Sequence, residues 1–131
     1  MMNNYFIILA SGQSKRFNSS KPKQFIKYKN KALFEHSLDK ALKSKLFKKI
    51  IIVTNDKKQI KKKYSKDVLI IKGGKERSDS SLIALKFIKK YKPNNVLIHD
   101  AARPNFTIKL LKNLINSLKK NKASIPVISS K

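Results

Sequence analysis

Tyr5-Phe6-Ile7-Ile8-Leu9-Ala10 is an unbroken apolar run that opens directly into Ser11-Gly12-Gln13-Ser14-Lys15-Arg16. The run is short, apolar and followed by small and polar residues as far as Pro22, which predicts a buried strand leading into a loop. Three later runs carry the same signature. Lys49–Thr54 is almost continuously β-branched, as a strand covered on both faces requires. Val68–Ile71 runs into Gly73-Gly74, and Val96–His99 into Asp100. Ser124–Ile128 reads as a last strand. Between them the pattern turns helical. Ala32–Lys43 carries Ala32, Leu33, Leu38, Ala41 and Leu42 on one side. Asp56–Tyr64 reads as a short, very basic helix. Ser80–Tyr91 has Leu82, Leu85 and Ile88 on one side, with Ser78 or Asp79 as N-cap. Ile108–Lys119 is capped by Thr107 and carries Ile108, Leu111, Leu114, Ile115 and Leu118. Strands alternating with helices predict an α/β fold with a parallel sheet, right-handed crossovers and ligands at the carboxyl ends of the strands.

The chain has 131 residues, the size of one domain, and 40% of them are hydrophobic, enough for a core. It has no cysteine, so it carries neither a disulfide framework nor sulfur-based metal or nucleophile chemistry. Its apolar runs are too short to span a bilayer. Met1-Met2-Asn3-Asn4 brings no basic region, so no secretory signal is expected and a soluble cytoplasmic protein is. The formal charge is +25. A polycation suggests nucleic acid, but only Arg16, Arg77 and Arg103 of the 32 basic residues are arginines. Readers of phosphate and guanine edges favour the arginine fork. The lysines are spread over every segment and read as a solvated surface.

The rare residues are concentrated. All the arginines, the glycines Gly12, Gly73 and Gly74, and His99 fall within 10–24, 73–81 and 98–104. Those segments follow the first, third and fourth strands, so the expected topology brings them to one edge. In the first, small residues let backbone N–H groups approach an anion, with Arg16 and Lys23 beside them. It is neither a Walker A loop nor a dinucleotide fingerprint, and an ordinary basic surface loop is the competing reading. In the second, Gly73-Gly74 and Ser80 suit close approach by a ligand, against a plain turn with an N-cap. In the third, Asp100 at a strand end could hold Mg²⁺ near phosphates, or could pair with Arg103. His99 could be a packed core histidine. His36 and His99 do not make a zinc site.

Together these segments resemble the 2-C-methyl-D-erythritol 4-phosphate cytidylyltransferase family. The carriers are Ala10-Ser11-Gly12 with Arg16 and Pro22-Lys23-Gln24, then Gly73-Gly74 with Arg77 and Ser80, then His99-Asp100-Ala101-Ala102-Arg103-Pro104, from about Phe6 to Val127. Glu35-His36-Ser37 also looks familial. The resemblance implies a Rossmann-like nucleotidyltransferase with a mostly parallel sheet and helices on both faces. Its reaction would join CTP to a sugar-alcohol phosphate and release pyrophosphate, with Mg²⁺, in non-mevalonate isoprenoid biosynthesis. Ala10, Ser11 and Gly12 would wrap the triphosphate. Arg16 and Lys23 would stabilise charge developing at the α-phosphate, Lys23 also binding CTP. Gly74 and Ser80 would contact cytosine and ribose, and Asp100 with Ala101 would sit near ribose and metal.

Ser14 stands where some family members carry a second glycine, and Lys75 where some carry an acid. The family continues past Ile128, so residues 1–131 are expected to be the N-terminal, CTP-binding part of one incomplete cytidylyltransferase domain, itself inactive. The longer protein is expected to be a homodimer without membrane attachment, and the resemblance leaves open any fusion to a cyclodiphosphate synthase. Ribitol-5-phosphate cytidylyltransferase has similar nucleotide motifs and is the alternative within the class. A molybdopterin-type guanylyltransferase shares only the first loop. A lysine-rich nucleic-acid-binding module is the alternative of another class, but no RRM, KH or helix-turn-helix signature is present.

Overall fold

The computed structural model describes residues 3–11, 27–64, 66, 68–101, 105–120 and 127–128. Five strands form a parallel sheet: β1 (Asn4–Ala10), β4 (Lys49–Thr54), β5 (Val68–Ile71), β6 (Asn95–Asp100) and β7 (Val127–Ile128). Their order is β5-β4-β1-β6-β7. The chain builds outward from β1 on one side, then crosses to the other. The reversal between β1 and β6 is the switch point at which open α/β sheets open a crevice. In register, Ala10 faces Thr54 and Leu9 faces Asp100.

All seven residues of β1 are buried, because both faces of the sheet are covered. Alternation sorts them. Phe6, Ile8 and Ala10 join Ile50, Ile52, Phe34, Leu38, Leu111 and Ile115 in one core layer. This face packs under α1 (Leu33–Ser44) and α3 (Ile108–Lys120). Tyr5, Ile7 and Leu9 join Ile51, Val53, Ala84 and Ile88 in the other, under α2 (Arg77–Ile88). Each fully buried Ile or Phe contributes about 1.5–3 kcal/mol of transfer free energy. The strand β1 is therefore the spine of the molecule.

Four local features depart from the sequence reading. Asp56–Tyr64 is not an α-helix but two 3₁₀ turns, Lys57–Gln59 and Lys62–Tyr64. Lys57 and Lys61, and Lys58 and Lys62, would be like-charged neighbours one α-turn apart. The segment instead plugs Ile60 and Tyr64 into the core and leaves Lys57, Lys58 and Lys61–Lys63 exposed. The second departure is a short antiparallel hairpin, β2 (Lys27–Tyr28) with β3 (Lys31–Ala32). Its turn residues Lys29 and Asn30 both have positive φ, 51° and 67°, the handedness that two-residue hairpins favour. The third is the start of α2, which is capped by Glu76 rather than Ser78 or Asp79. Asp79 acts from within the first turn, its carboxylate accepting the Glu76 N–H at 3.3 Å, as in a capping box. The fourth is the far end of α2, where the last residues of the expected helix, Lys89–Tyr91, form a 3₁₀ turn. At α3 the expected cap holds: Thr107 Oγ1 accepts the Leu110 N–H at 3.1 Å. Of the expected last strand, 127–128 pair with β6 and 124–126 lie outside the described residues.

Candidate active site

Because the sheet is parallel, β1, β4, β5 and β6 release their chains at one edge. They deliver Ser11, Asn55, Gly73-Gly74 and Asp100 there. The Ser11 and Ser80 hydroxyls hydrogen-bond to each other, both buried. Ser80 Oγ also accepts the Gly74 N–H at 3.1 Å. Ser80 reaches this point because α2 begins at Arg77, which sets Ser80 in its first turn facing back to the strand ends. A Cβ added to Gly73 would lie 2.5 Å from Ser11 Cβ and 2.6 Å from both serine hydroxyls. Real side chains do not approach so closely, so the two loops meet through a position that only glycine fits. A Cβ on Gly74 would meet Asp79 Cβ at 2.5 Å.

The third segment enters from the other side of β1. The Ala101 N–H donates to the Leu9 carbonyl at 3.0 Å, extending the ladder one residue past the paired strands. This fixes Ala101, fully buried, and Asp100, the register partner of Leu9, at the switch point. His99 is a packed core histidine, as the sequence allowed. It is buried, its Nε2 lies 2.9 Å from Ser37 Oγ, and its ring stacks on Phe6 and meets the edge of Phe106 at 4.7 Å between centroids. It ties α1 to β6 directly behind Asp100.

Glu35 and Ser37, on α1, are likewise structural. Glu35 is buried, with Lys61 Nζ at 3.2 Å and the Tyr64 hydroxyl at 3.3 Å. That hydroxyl is nearer Asp39, at 2.9 Å, and Asp39 pairs with Lys31 of the hairpin at 2.6 Å. Burial, and after it Asp39 and Glu35, push the Tyr64 phenol well above its ordinary range. This network holds the 3₁₀ turns and the hairpin on α1.

The expected residues Ala10, Ser11, Gly74, Ser80, Asp100 and Ala101 thus share one edge. Gly12, Arg16, Lys23 and Arg103 lie outside the described residues. Among the described residues no cluster of three or more His, Cys, Asp or Glu could hold a metal alone. Nor is any described helix long and apolar enough to cross a membrane. One residue escapes the sequence reading. Asn55, at the end of β4, donates from Nδ2 to the Ser11 carbonyl at 3.2 Å and the Gly74 carbonyl at 3.1 Å. Its only sequence signal is its place directly after a strand, and its loop contains no Gly or Arg.

A family model described as 2-C-methyl-D-erythritol 4-phosphate cytidylyltransferase, IspD, matches residues 5–131. The chain belongs to this family. An IspD relative from Pelagibacter ubique, named as a bifunctional IspD/IspF enzyme, is 53% identical over 98% of this chain and 35% of its own length. A 2-C-methyl-D-erythritol 4-phosphate cytidylyltransferase from Thermotoga neapolitana is 41% identical over 77% of this chain and 47% of its own length. The chain therefore spans about a third to a half of the curated relatives it matches. Among solved structures, the 4-diphosphocytidyl-2C-methyl-D-erythritol synthase of Anaerococcus prevotii superposes with a TM-score of 0.77 at 27% identity. The match covers 92% of this chain and 52% of that one. The IspD fold, a nucleotidyltransferase-type parallel sheet with helices on both faces, is the fold of this chain.

Proposed function

We propose that residues 1–131 are the CTP-binding part of a cytidylyltransferase domain, whose whole protein transfers a cytidylyl group to 2-C-methyl-D-erythritol 4-phosphate. The observation that carries this is the meeting of Ser11, Gly73-Gly74 and Ser80 at the carboxyl edge, with Asp100 paired to Leu9 at the switch point. A small-residue strand end there suits close approach by a triphosphate, which Ala10, Ser11 and Gly12 would wrap on the family resemblance. Ser80 Oγ can donate to Ser11 and accept from Gly74 while keeping one lone pair. On the family resemblance, Gly74 and Ser80 would lie against cytosine and ribose.

In the reaction an oxygen of the acceptor phosphate attacks the α-phosphorus of CTP in line. A new P–O bond forms as the bond to the β-phosphate oxygen breaks, and pyrophosphate leaves with that electron pair. No covalent intermediate on the protein is needed, so positioning and cationic stabilisation do the work. Arg16 and Lys23 take the second role, on the family resemblance. Asp100 is a single carboxylate where the triphosphate would lie, and Mg²⁺ is commonly held by one or two carboxylates plus substrate phosphates, so the donor set fits. The bound ion would neutralise phosphate charge. The whole protein would be a cytoplasmic homodimer acting in isoprenoid biosynthesis.

Calorimetric titration with CTP, UTP, ATP and GTP in the presence of Mg²⁺ tests the reading. Preference for CTP is expected. Equal heats for all four would leave only a lysine-made phosphate site.

A further inference from the structure

We infer that Asn55 is a positioning residue that clamps the first and second nucleotide loops together and so sets the spacing between the triphosphate and cytosine subsites. This rests on the CTP reading above. The strands β1 and β5 are not neighbours, because β4 lies between them. Two strand spacings put their ends roughly 9–10 Å apart, beyond the reach of any backbone ladder bond. The two loops that leave them must nevertheless present one ligand with two ends. Asn55 leaves β4 in the gap. Its amide nitrogen carries two protons, and each has a carbonyl: Ser11 on one side at 3.2 Å and Gly74 on the other at 3.1 Å. Both partners are acceptors, so the amide can face them only with its NH₂. The side chain is itself held in place, because Thr54 Oγ1 accepts the Asp56 N–H at 3.1 Å and turns the chain directly after Asn55.

Ser80 supplies a second tie, from α2 to Ser11 and to the Gly74 N–H. Ser80 is buried, whereas Asn55 is exposed. Removing the Asn55 amide therefore leaves the core intact and loosens the loops alone. On the CTP reading, Ser11 would face the phosphates and Gly74 the base. A loosened pair should still bind phosphate but should lose the advantage of binding base and phosphate together.

The test uses Asn55→Ala and Asn55→Asp, the second nearly isosteric but turning a carboxylate toward two carbonyls. CTP and inorganic triphosphate are titrated into each in the presence of Mg²⁺, and amide hydrogen exchange is read without ligand. Asn55→Ala should bind CTP about tenfold more weakly, the worth of roughly one net hydrogen bond. Its affinity for inorganic triphosphate should stay within about twofold, the two loops being uncoupled rather than unfolded. The Gly74 amide should exchange faster while Ile7 and Ile51 amides keep their protection. Equal losses for both ligands, or no loss for either, would overturn the clamp. A wild-type chain that binds CTP no better than inorganic triphosphate would defeat the nucleotide reading instead. The clamp then stands or falls on the Gly74 exchange rate, and an unchanged rate overturns it.

Discussion

The hydroxyls of Ser11 and Ser80 hydrogen-bond to each other across 69 positions of sequence. One closes β1 and the other sits in the first turn of α2, so the bond pins the helix start to the central strand. Both groups are buried, and each would be left without its partner if the other were removed. Ser11→Ala and Ser80→Ala should therefore each cost about 1–3 kcal/mol. The double variant should cost less than the sum, with a coupling energy on the order of 1 kcal/mol. Denaturant unfolding of the four proteins checks it, and strict additivity would show that the hydroxyls act independently.

Gly73→Ala places a methyl 2.5 Å from Ser11 Cβ. The Ser11 and Ser80 hydroxyls lie at 2.6 Å, so the methyl has no space without parting the loops. Overpacking of this kind costs about 1–3 kcal/mol. The expected result is lower stability together with weaker CTP binding. A variant with wild-type stability and wild-type affinity would mean that the loops separate without penalty.

Tyr64 gives the fold an alkaline limit. Its phenol is held above its ordinary value near 10.0, chiefly by burial and then by Asp39 and Glu35. Above that pH the unfolded chain loses the phenolic proton while the folded chain keeps it. The unfolded state then binds fewer protons, and stability falls as pH rises. The contribution is complete below pH 10 and is lost progressively above it, at up to about 1.4 kcal/mol per pH unit. Tyr64→Phe should be less stable at pH 8, where the Asp39 hydrogen bond is lost, and should show a shallower decline between pH 10 and 11. Parallel pH profiles for the two proteins would refute this assignment.

Arg16 and Lys23 are expected to act on the transition state. In a chain extended to the full length of its relatives, Arg16→Ala and Lys23→Ala should each lower kcat about a hundredfold, on the order of 3 kcal/mol. The Michaelis constant for CTP should move little. A loss found wholly in that constant would make them ground-state binding residues.

The 131-residue chain itself should release essentially no pyrophosphate from CTP and methylerythritol phosphate. It spans only 35% and 47% of the two relatives compared above. Turnover within the usual enzyme range of roughly 1–1000 per second would show that the acceptor site is complete within it.

Much of the fold was legible in the sequence because β1, β4, β5 and β6 are short apolar runs bounded by polar turns. Burial on both faces leaves such a pattern little alternative to a parallel strand. The edge that gathers the site was legible for a related reason. In a parallel sheet every strand end of the same sense lies on one side, so Ser11, Gly73-Gly74 and Asp100 had to lie along the same edge. The helix expected over Asp56–Tyr64 failed because composition resembles a helix there, while the like charges one turn apart are relieved only in the tighter turns the packed structure adopts.

Residue chemistry and spacing determined the strand ends and the glycine and arginine clusters, and the family resemblance rests on those clusters. Tertiary structure decided which groups touch. The partner that holds His99 in the core, Ser37, lies 62 positions away. The partners of Asn55 lie 44 and 19 positions away. Side-chain hydrogen bonds of that range leave no periodic trace in a sequence. Their partners become neighbours only when the sheet order β5-β4-β1-β6 is set by burial of the whole core.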